Sequence, residues 1–132
     1  MDKKVDVISK LTKRIVDFRD ARDWKQFHNQ KDLALSLCLE AAEVLEHFQW
    51  KNGEELEKYC ETHKESIGDE LADVFYWILL MSHDLGIDIT EALNRKMKKN
   101  EEKYSVEKFK GNHKKYNEAE IWLFTRQQKK GF

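Results

Sequence analysis

The chain has 132 residues, of which 37% are charged, with no proline, five glycines, two cysteines and a net charge of −1. This length favours one domain, and the apolar runs fall short of the roughly 18–20 residues that a membrane span needs. The charged N-terminal residues lack an apolar signal region, so the sequence predicts a soluble, cytoplasmic protein whose partners are neither membranes nor nucleic acids.

The composition is typical of an all-helical protein. Charge is unevenly distributed, because residues 91–132 hold 12 basic and 6 acidic residues and the rest of the chain is acidic. An acidic body and a basic C-terminal third suit cation and phosphate binding respectively. The alternative interpretation is that these charges are solvated helix faces of uneven sign.

The first predicted helix covers residues 3–22, where apolar side chains recur every three to four positions. The pattern breaks in the following connection, which contains Trp24, Phe27 and His28. These rings are either a plug for the core or a wall for a ligand. Asn29 is placed to cap the next helix.

The second predicted helix, over about 30–50, is apolar nearly all round and therefore predicted to be buried. We expect Gly53 to end it and a short helix to follow over 54–60. One polar stripe runs along the second helix at spacings of four, three and four: Ser36, Glu40, Glu43 and His47.

A third, long helix is predicted from near residue 63, where Thr62 and Glu65 have capping-box spacing, to Gly86. A fourth is predicted over 89–103, and residues 105–117 are expected to be irregular. The third helix repeats the design of the second, with a polar stripe that comprises Ser66, Glu70, Asp73 and Trp77.

The two stripes predict a metal site. Each carries a pair of carboxylates three residues apart, which project from one face of a helix. If the helices pack through these faces, four acids converge and repel one another unless a cation lies between them. Without imidazole or thiolate ligands at suitable spacing, Mg²⁺ is favoured and Mn²⁺ can substitute. The alternative interpretation is that these four acids lie on solvent-exposed helix faces.

These motifs resemble the MazG-like, all-alpha nucleoside triphosphate pyrophosphohydrolases, and more narrowly the dCTP pyrophosphatase branch. The similar segments lie between residues 15 and 118 and include FRDARDWKQFH, LEAAEVLEHFQWK, DELADVFYWILLM and KMKKNEEKY. The resemblance implies that the Mg²⁺-binding acids are Glu40, Glu43, Glu70 and Asp73, with Glu40 or Glu43 also acting on the attacking water.

The resemblance also implies a substrate-binding set. Aromatic side chains and a histidine would flank the base, and a motif on the fourth helix would contact sugar or phosphate. Trp77 departs from the pattern because that branch has a tyrosine there, and Ile15 stands where related eukaryotic enzymes have a histidine. The implied substrate-binding residues are Trp24, His28, Trp50, Trp77, Lys96, Asn100, Lys103 and Tyr104.

The expected fold is an all-α antiparallel helical bundle, with residues 1–110 as the pyrophosphohydrolase domain and 111–132 as a tail that packs on a neighbouring subunit. A single helical hairpin cannot bury helices this apolar, so we expect a homodimer or homotetramer to complete the core. The implied activity converts a dNTP, with dCTP or a modified dCTP as first choice, to dNMP and pyrophosphate. The alternatives are a related hydrolase of dUTP, damaged dNTPs or phosphoribosyl-ATP, and a non-enzymatic helical interaction module.

Overall fold

The computed structural model describes residues 6–113, and all regular structure in that range is helical, as predicted. A 3₁₀ turn, Trp24–Phe27, lies between the first two α-helices. The α-helices of the described residues are α1 (Val7–Asp20), α2 (Gln30–Glu46), α3 (Gly53–Thr62), α4 (Lys64–Asp84), α5 (Ile89–Lys103) and α6 (Val106–Phe109).

The chain divides into two compact units, one that ends at Ile89 and one that begins at Thr90. In the first unit α2 packs chiefly against α4, and α1 and α3 also contact α4. The long helix α4 is therefore the element on which the first unit is assembled. The domain boundary near residue 110 stays a prediction, and the tail from residue 114 onward lies outside the described residues.

Helix ends follow from local side-chain chemistry. The Asp6 carboxylate accepts a hydrogen bond from the Ser9 backbone N–H at 2.9 Å and caps α1. Asn29 caps α2 as predicted, because its Oδ1 accepts from the Asp32 N–H at 2.9 Å. Gly86 ends α4 with a φ of +66°, a conformation that glycine adopts without steric strain.

Four details of the predicted helices are wrong. Helix α2 ends at Glu46 rather than near 50, and Gly53, with a φ of +54°, begins α3 instead of stopping α2. The Thr62 hydroxyl donates to the Lys58 carbonyl at 2.9 Å, within the last turn of α3, so it does not form the predicted capping box. The segment expected to be irregular contains the short helix α6.

The core within one chain is small. Among the described residues, the apolar side chains that are buried are Leu33, Leu79 and Leu80. The prediction that α2 is buried is wrong for the single chain, since Leu39 is 66% exposed and Leu45 is exposed as well. Two packed helices cover only one face of each, so the other apolar face of α2 stays open. None of the helices within residues 6–113 combines the length and apolar character needed to cross a membrane.

Helix α1 is tied to α4 by a buried ion pair that the sequence patterns did not reveal. Arg19 is 1% exposed and donates through Nη1 to Asp84 Oδ2 at 2.6 Å and through Nε to Asp20 Oδ1 at 3.1 Å. Burial by itself lowers the pKa of Arg19, but the hydrogen bonds and the negative charges of Asp84 and Asp20 together outweigh it and raise the pKa above the ordinary value. The guanidinium is therefore a permanently charged link between the two helices.

Candidate metal centre and adjoining cavity

Carboxylates from α2 and α4 converge where the two helices pack. Glu40, Glu43 and Glu70 each offer an oxygen, and these oxygens all lie within 4.8 Å of one another. Glu40 and Glu70 are half-buried and Glu43 is exposed. Asp73 lies close enough for its charge to act on Glu40. The predicted meeting of the two acidic stripes is thus present in the folded chain.

This donor set fits a hard dication. Burial raises the pKa of Glu40 above its ordinary value, and a hydrogen bond with Glu43 and the charges of Glu43 and Asp73 raise it further. Glu70 Oε2 is buried without a hydrogen-bond partner. An acceptor of this kind is destabilising unless a cation or proton satisfies it. Carboxylate oxygens without imidazole or thiolate are the ligands of Mg²⁺ and Mn²⁺.

Replacing Glu40 with glutamine should raise the melting temperature of the metal-free protein at pH 7.5. Because the pKa of Glu40 is raised on folding, the folded state binds its proton more tightly than the unfolded state. Stability therefore falls as the pH rises through the interval between the two pKa values, and the variant avoids that loss. Thermal unfolding in EDTA at pH 7.5 and at about pH 4, near the ordinary glutamate value, measures the difference.

The gain of Glu40→Gln should shrink at the lower pH, where the carboxyl group of the folded wild type is mostly protonated and that of the unfolded chain is about half protonated. Glu46→Gln, an exposed position on the same helix, is the matched control and should change the melting temperature little at either pH. A Glu40→Gln protein that is less stable than wild type in EDTA at pH 7.5 would contradict the prediction.

A cavity of about 610 Å³ adjoins the acids. Glu40 and Asp73 line it together with Trp77 and Trp24. Most of the remaining lining is apolar, from α1 and α4, with Arg14 as a cationic group. A cavity of this size with apolar walls and a few polar groups is typical of a small-molecule site. The remaining lining residues are Leu11, Arg14, Ile15, Phe18, Ala72, Phe75, Tyr76 and Leu79.

The turn before α2 brings Trp24 to the cavity. Asp23 adopts a left-handed conformation with a φ of 54°, and Gln26 Nε2 donates to its carbonyl and carboxylate at 2.9 Å each. The Trp24 ring meets Phe18 edge-on at 5.7 Å between centroids. Because Trp24 and Phe27 are exposed, the core-plug interpretation of this turn is wrong within one chain, and Trp24 forms part of the cavity wall.

His28 and Trp50 differ in their relation to the cavity. His28 contacts Trp77 edge-on, with ring centroids 5.8 Å apart, and its Nδ1 atom is buried without a hydrogen-bond partner. Trp50 is 82% exposed and does not line the cavity. The second unit contains the remaining members of the set, Lys96, Asn100, Lys103 and Tyr104.

Several residues of the cavity were not predicted from the sequence. Leu11, Phe18 and Tyr76 line it, although their apolar or aromatic character predicts no more than a helix face that packs on protein. The sequence does contain a related pattern, because Leu11, Ile15 and Phe18 recur on one face of α1. Periodicity identifies such a face but not whether it packs on protein or borders an open site.

Residues 35–119 match the model of the MazG-like family. The chain belongs to the MazG-like family. The match covers both acidic pairs, so the acids on α2 and α4 lie within the part of the chain that defines the family. The resemblance stated from the sequence motifs is confirmed.

Individual relatives agree with this MazG-like assignment. The chain is 33% identical over 104 residues to mouse dCTP pyrophosphatase 1, covering 77% of this chain and 61% of the relative. The bovine protein of the same name is 31% identical, with 77% and 62% covered. The chain thus spans about three fifths of the length of these curated relatives. A crystal structure of a pyrophosphatase from Archaeoglobus fulgidus is 36% identical, with a TM-score of 0.74 over 80% of this chain and 98% of that one.

Proposed function

We propose that this MazG-like chain is a divalent-metal-dependent nucleoside triphosphate pyrophosphohydrolase. The observation that carries the proposal is the acid cluster of Glu40, Glu43 and Glu70, whose member Glu40 also lines a cavity large enough for a nucleoside. Asp73 links the acid cluster to the cavity, since it lines the cavity and its charge raises the pKa of Glu40. A substrate whose phosphates reach the acids and whose base enters the cavity suits this arrangement.

The proposed reaction is hydrolysis at the α-phosphorus. Mg²⁺ held by Glu40, Glu43, Glu70 and Asp73 would neutralise the phosphate charges and activate the phosphorus towards attack. Glu40 or Glu43 orients a water molecule and takes its proton as the oxygen bonds to the α-phosphorus. The bond from the α-phosphorus to the bridging oxygen breaks, which leaves a nucleoside monophosphate and pyrophosphate.

For the substrate we propose a deoxynucleoside triphosphate, with dCTP or a modified dCTP first. The support is the name of the mouse and bovine relatives and the aromatic wall that Trp24 and Trp77 give the cavity. Stacking on such rings contributes roughly 1–3 kcal/mol per base without selecting one base. Trp50 and the second-unit residues Lys96, Asn100, Lys103 and Tyr104 remain proposed contacts to base, sugar or phosphate. Cleaning of the nucleotide pool in the cytoplasm is the role that this activity would serve.

A hydrolysis panel tests the proposal. The eight common dNTPs and NTPs, 5-methyl-dCTP and phosphoribosyl-ATP are incubated with the full chain in Mg²⁺, in Mn²⁺ and in EDTA, and products are separated by ion exchange. We expect a monophosphate and pyrophosphate in equal amounts, with turnover lost in EDTA. Release of orthophosphate, or no metal-dependent turnover of any nucleotide, would overturn the proposal. Without any turnover, the non-enzymatic helical interaction module would be the remaining interpretation.

We also propose that the chain acts as a homodimer or homotetramer. Its support is the large apolar surface that α2 and α4 leave open in one chain, where Leu35, Leu39 and Leu71 are all exposed. A second copy would cover this surface, because a stable subunit interface buries roughly 800 Å² per partner. Light scattering after size exclusion should give two or four times the chain mass of 15.8 kDa. A monomer at micromolar concentration would contradict this.

A further inference from the structure

Arg14 is the positively charged group of the cavity wall. The charged side chains in the lining are Glu40, Asp73 and Arg14, and the rest of the lining is apolar or aromatic. The two acids lie on α2 and α4, whereas Arg14 lies on α1. Within residues 6–113 the Arg14 side chain takes part in no hydrogen bond or ion pair, so its guanidinium is not in contact with either carboxylate. The cavity therefore has acids on two helices and an unpaired cation on a third.

Neighbouring cations of the same region have partners. Lys13 forms an ion pair with Asp17 one turn further along α1. The Arg22 guanidinium lies 3.8 Å from the centroid of the Phe18 ring and donates to the Phe18 carbonyl at 2.9 Å. A guanidinium that lines a cavity without such a contact can donate all of its N–H groups to a bound molecule. Arg14 is thus a cation that is available to a ligand of the cavity.

Arg14 lies beside the aromatic part of the wall. It follows Leu11 by three residues and precedes Phe18 by four, so these three residues lie on one face of α1. All three line the cavity, and the Phe18 ring meets Trp24 edge-on. A flat base that stacks on such a ring keeps its hydrogen-bonding edge free, in the plane of the base. On the α1 side of the cavity, that edge would meet the guanidinium.

The chemistry of a guanidinium distinguishes between base edges. Its N–H donors form a rigid planar fork, and it accepts no hydrogen bond. Cytosine presents two adjacent acceptors to such a fork, the ring nitrogen N3 and the carbonyl oxygen O2. Adenine places an amino donor next to its N1 acceptor, so one arm of the fork would face another donor. Tyr76 also lines the cavity, but a phenol both donates and accepts and therefore does not distinguish these edges.

We propose that Arg14 is a specificity-determining residue, which selects cytosine over adenine through paired donors to the base edge. This rests on the proposed function, since it takes the acids to hold the phosphates and the cavity to hold the base. A paired contact of this kind discriminates between bases by about 10–100-fold. A contact to phosphate differs, because it carries no information about the base and would support every nucleotide equally.

The test compares kcat/KM for dCTP with kcat/KM for dATP, measured with the full chain in Mg²⁺. Arg14→Met keeps the apolar stem and should reduce kcat/KM for dCTP by about 10–100-fold while changing kcat/KM for dATP by less than about threefold. Arg14→Lys keeps the charge without the planar fork and should lose most of the same preference. Lys13→Met is the matched control, because it removes an exposed charge from the neighbouring position of α1, which does not line the cavity. Its dCTP to dATP ratio should match wild type.

The variants separate base recognition from charge and from folding. Because Arg14 is exposed, its substitution leaves no hole in the core, and circular dichroism verifies the helices. An equal fall for dCTP and dATP in Arg14→Met, or the wild-type ratio in Arg14→Lys, would indicate a phosphate contact and overturn the inference. An unchanged ratio in Arg14→Met, or a wild type without preference for dCTP, would overturn it too.

A binding measurement keeps the inference apart from the reaction. If the wild type hydrolyses no nucleotide, the proposed function fails, and titration calorimetry with dCMP and dAMP then measures the same preference. We expect the wild type to bind dCMP more tightly than dAMP and Arg14→Met to lose that difference. Equal affinity of the wild type for the two monophosphates, no binding of either, or an unchanged difference in Arg14→Met would overturn the inference.

Discussion

Turnover should fall by about 10³-fold or more when Glu43 or Asp73 is replaced by alanine, with the helical content unchanged. Each substitution removes a carboxylate from the proposed metal centre, and a bound metal ion contributes several kcal/mol of transition-state stabilisation. Since each 1.36 kcal/mol of activation free energy changes the rate tenfold, losing most of that stabilisation removes most of the activity. Both side chains are exposed, so neither substitution leaves a cavity in the core.

Steady-state turnover of the preferred nucleotide in Mg²⁺ provides the measurement, and circular dichroism verifies the fold. Glu46→Ala is the matched control, because Glu46 is an exposed acid on the same helix that lies outside the acid cluster. Its turnover should match wild type within about twofold. Full activity in the Glu43→Ala and Asp73→Ala proteins would refute the assignment of these acids to the metal centre.

Much of the helical architecture could be predicted because its signals are local. The Asn29 cap and the glycine stop at Gly86 depend on residues within one turn, and both predictions are confirmed. The prediction that Gly53 ends α2 is wrong because this local signal has two meanings. Its positive φ fits a helix end, but it also fits the residue that reverses the chain into a new helix. The presence of a glycine does not by itself distinguish the end of one helix from the start of the next.

Parts of the site depend on contacts between distant residues, and those were not predictable in the same way. The acidic pairs were visible because their spacing of three residues puts them on one helix face. The contact between the His28 and Trp77 rings depends on how α4 is rotated against the turn that precedes α2. The cavity formed by α1 and α4 depends on a packing angle that periodicity does not contain.

The ion pair between Arg19 and Asp84 was also hidden in the sequence, because 65 residues separate its partners. Charged residues are frequent in this chain, and a pattern does not reveal which of them is buried. Arg19 is 1% exposed, and the Asp84 side chain is 12% exposed. By contrast, the pair of Lys13 and Asp17 is spaced four residues apart on the surface of α1 and was open to prediction.

Arg19→Met should destabilise the chain by about 3–5 kcal/mol, the usual consequence of removing one partner of a buried ion pair. The substitution keeps the apolar stem but leaves the Asp84 carboxylate partly buried without its cation. Such a loss is a large fraction of the roughly 5–15 kcal/mol by which domains are stable. Urea unfolding followed by circular dichroism at a fixed protein concentration measures it, because subunit association would make stability depend on concentration.

Two further variants identify the physical cause of that destabilisation. Arg19→Met combined with Asp84→Leu removes both charges and should recover much of the lost stability, since an apolar pair of similar volume is often as stable as a buried ion pair. Lys13→Ala, which breaks the exposed pair with Asp17, should change stability by at most about 1 kcal/mol. If Arg19→Met unfolds at the same urea concentration as Lys13→Ala, the buried guanidinium does not hold α1 on α4. The α1 wall of the cavity must then be stabilised by apolar contacts alone.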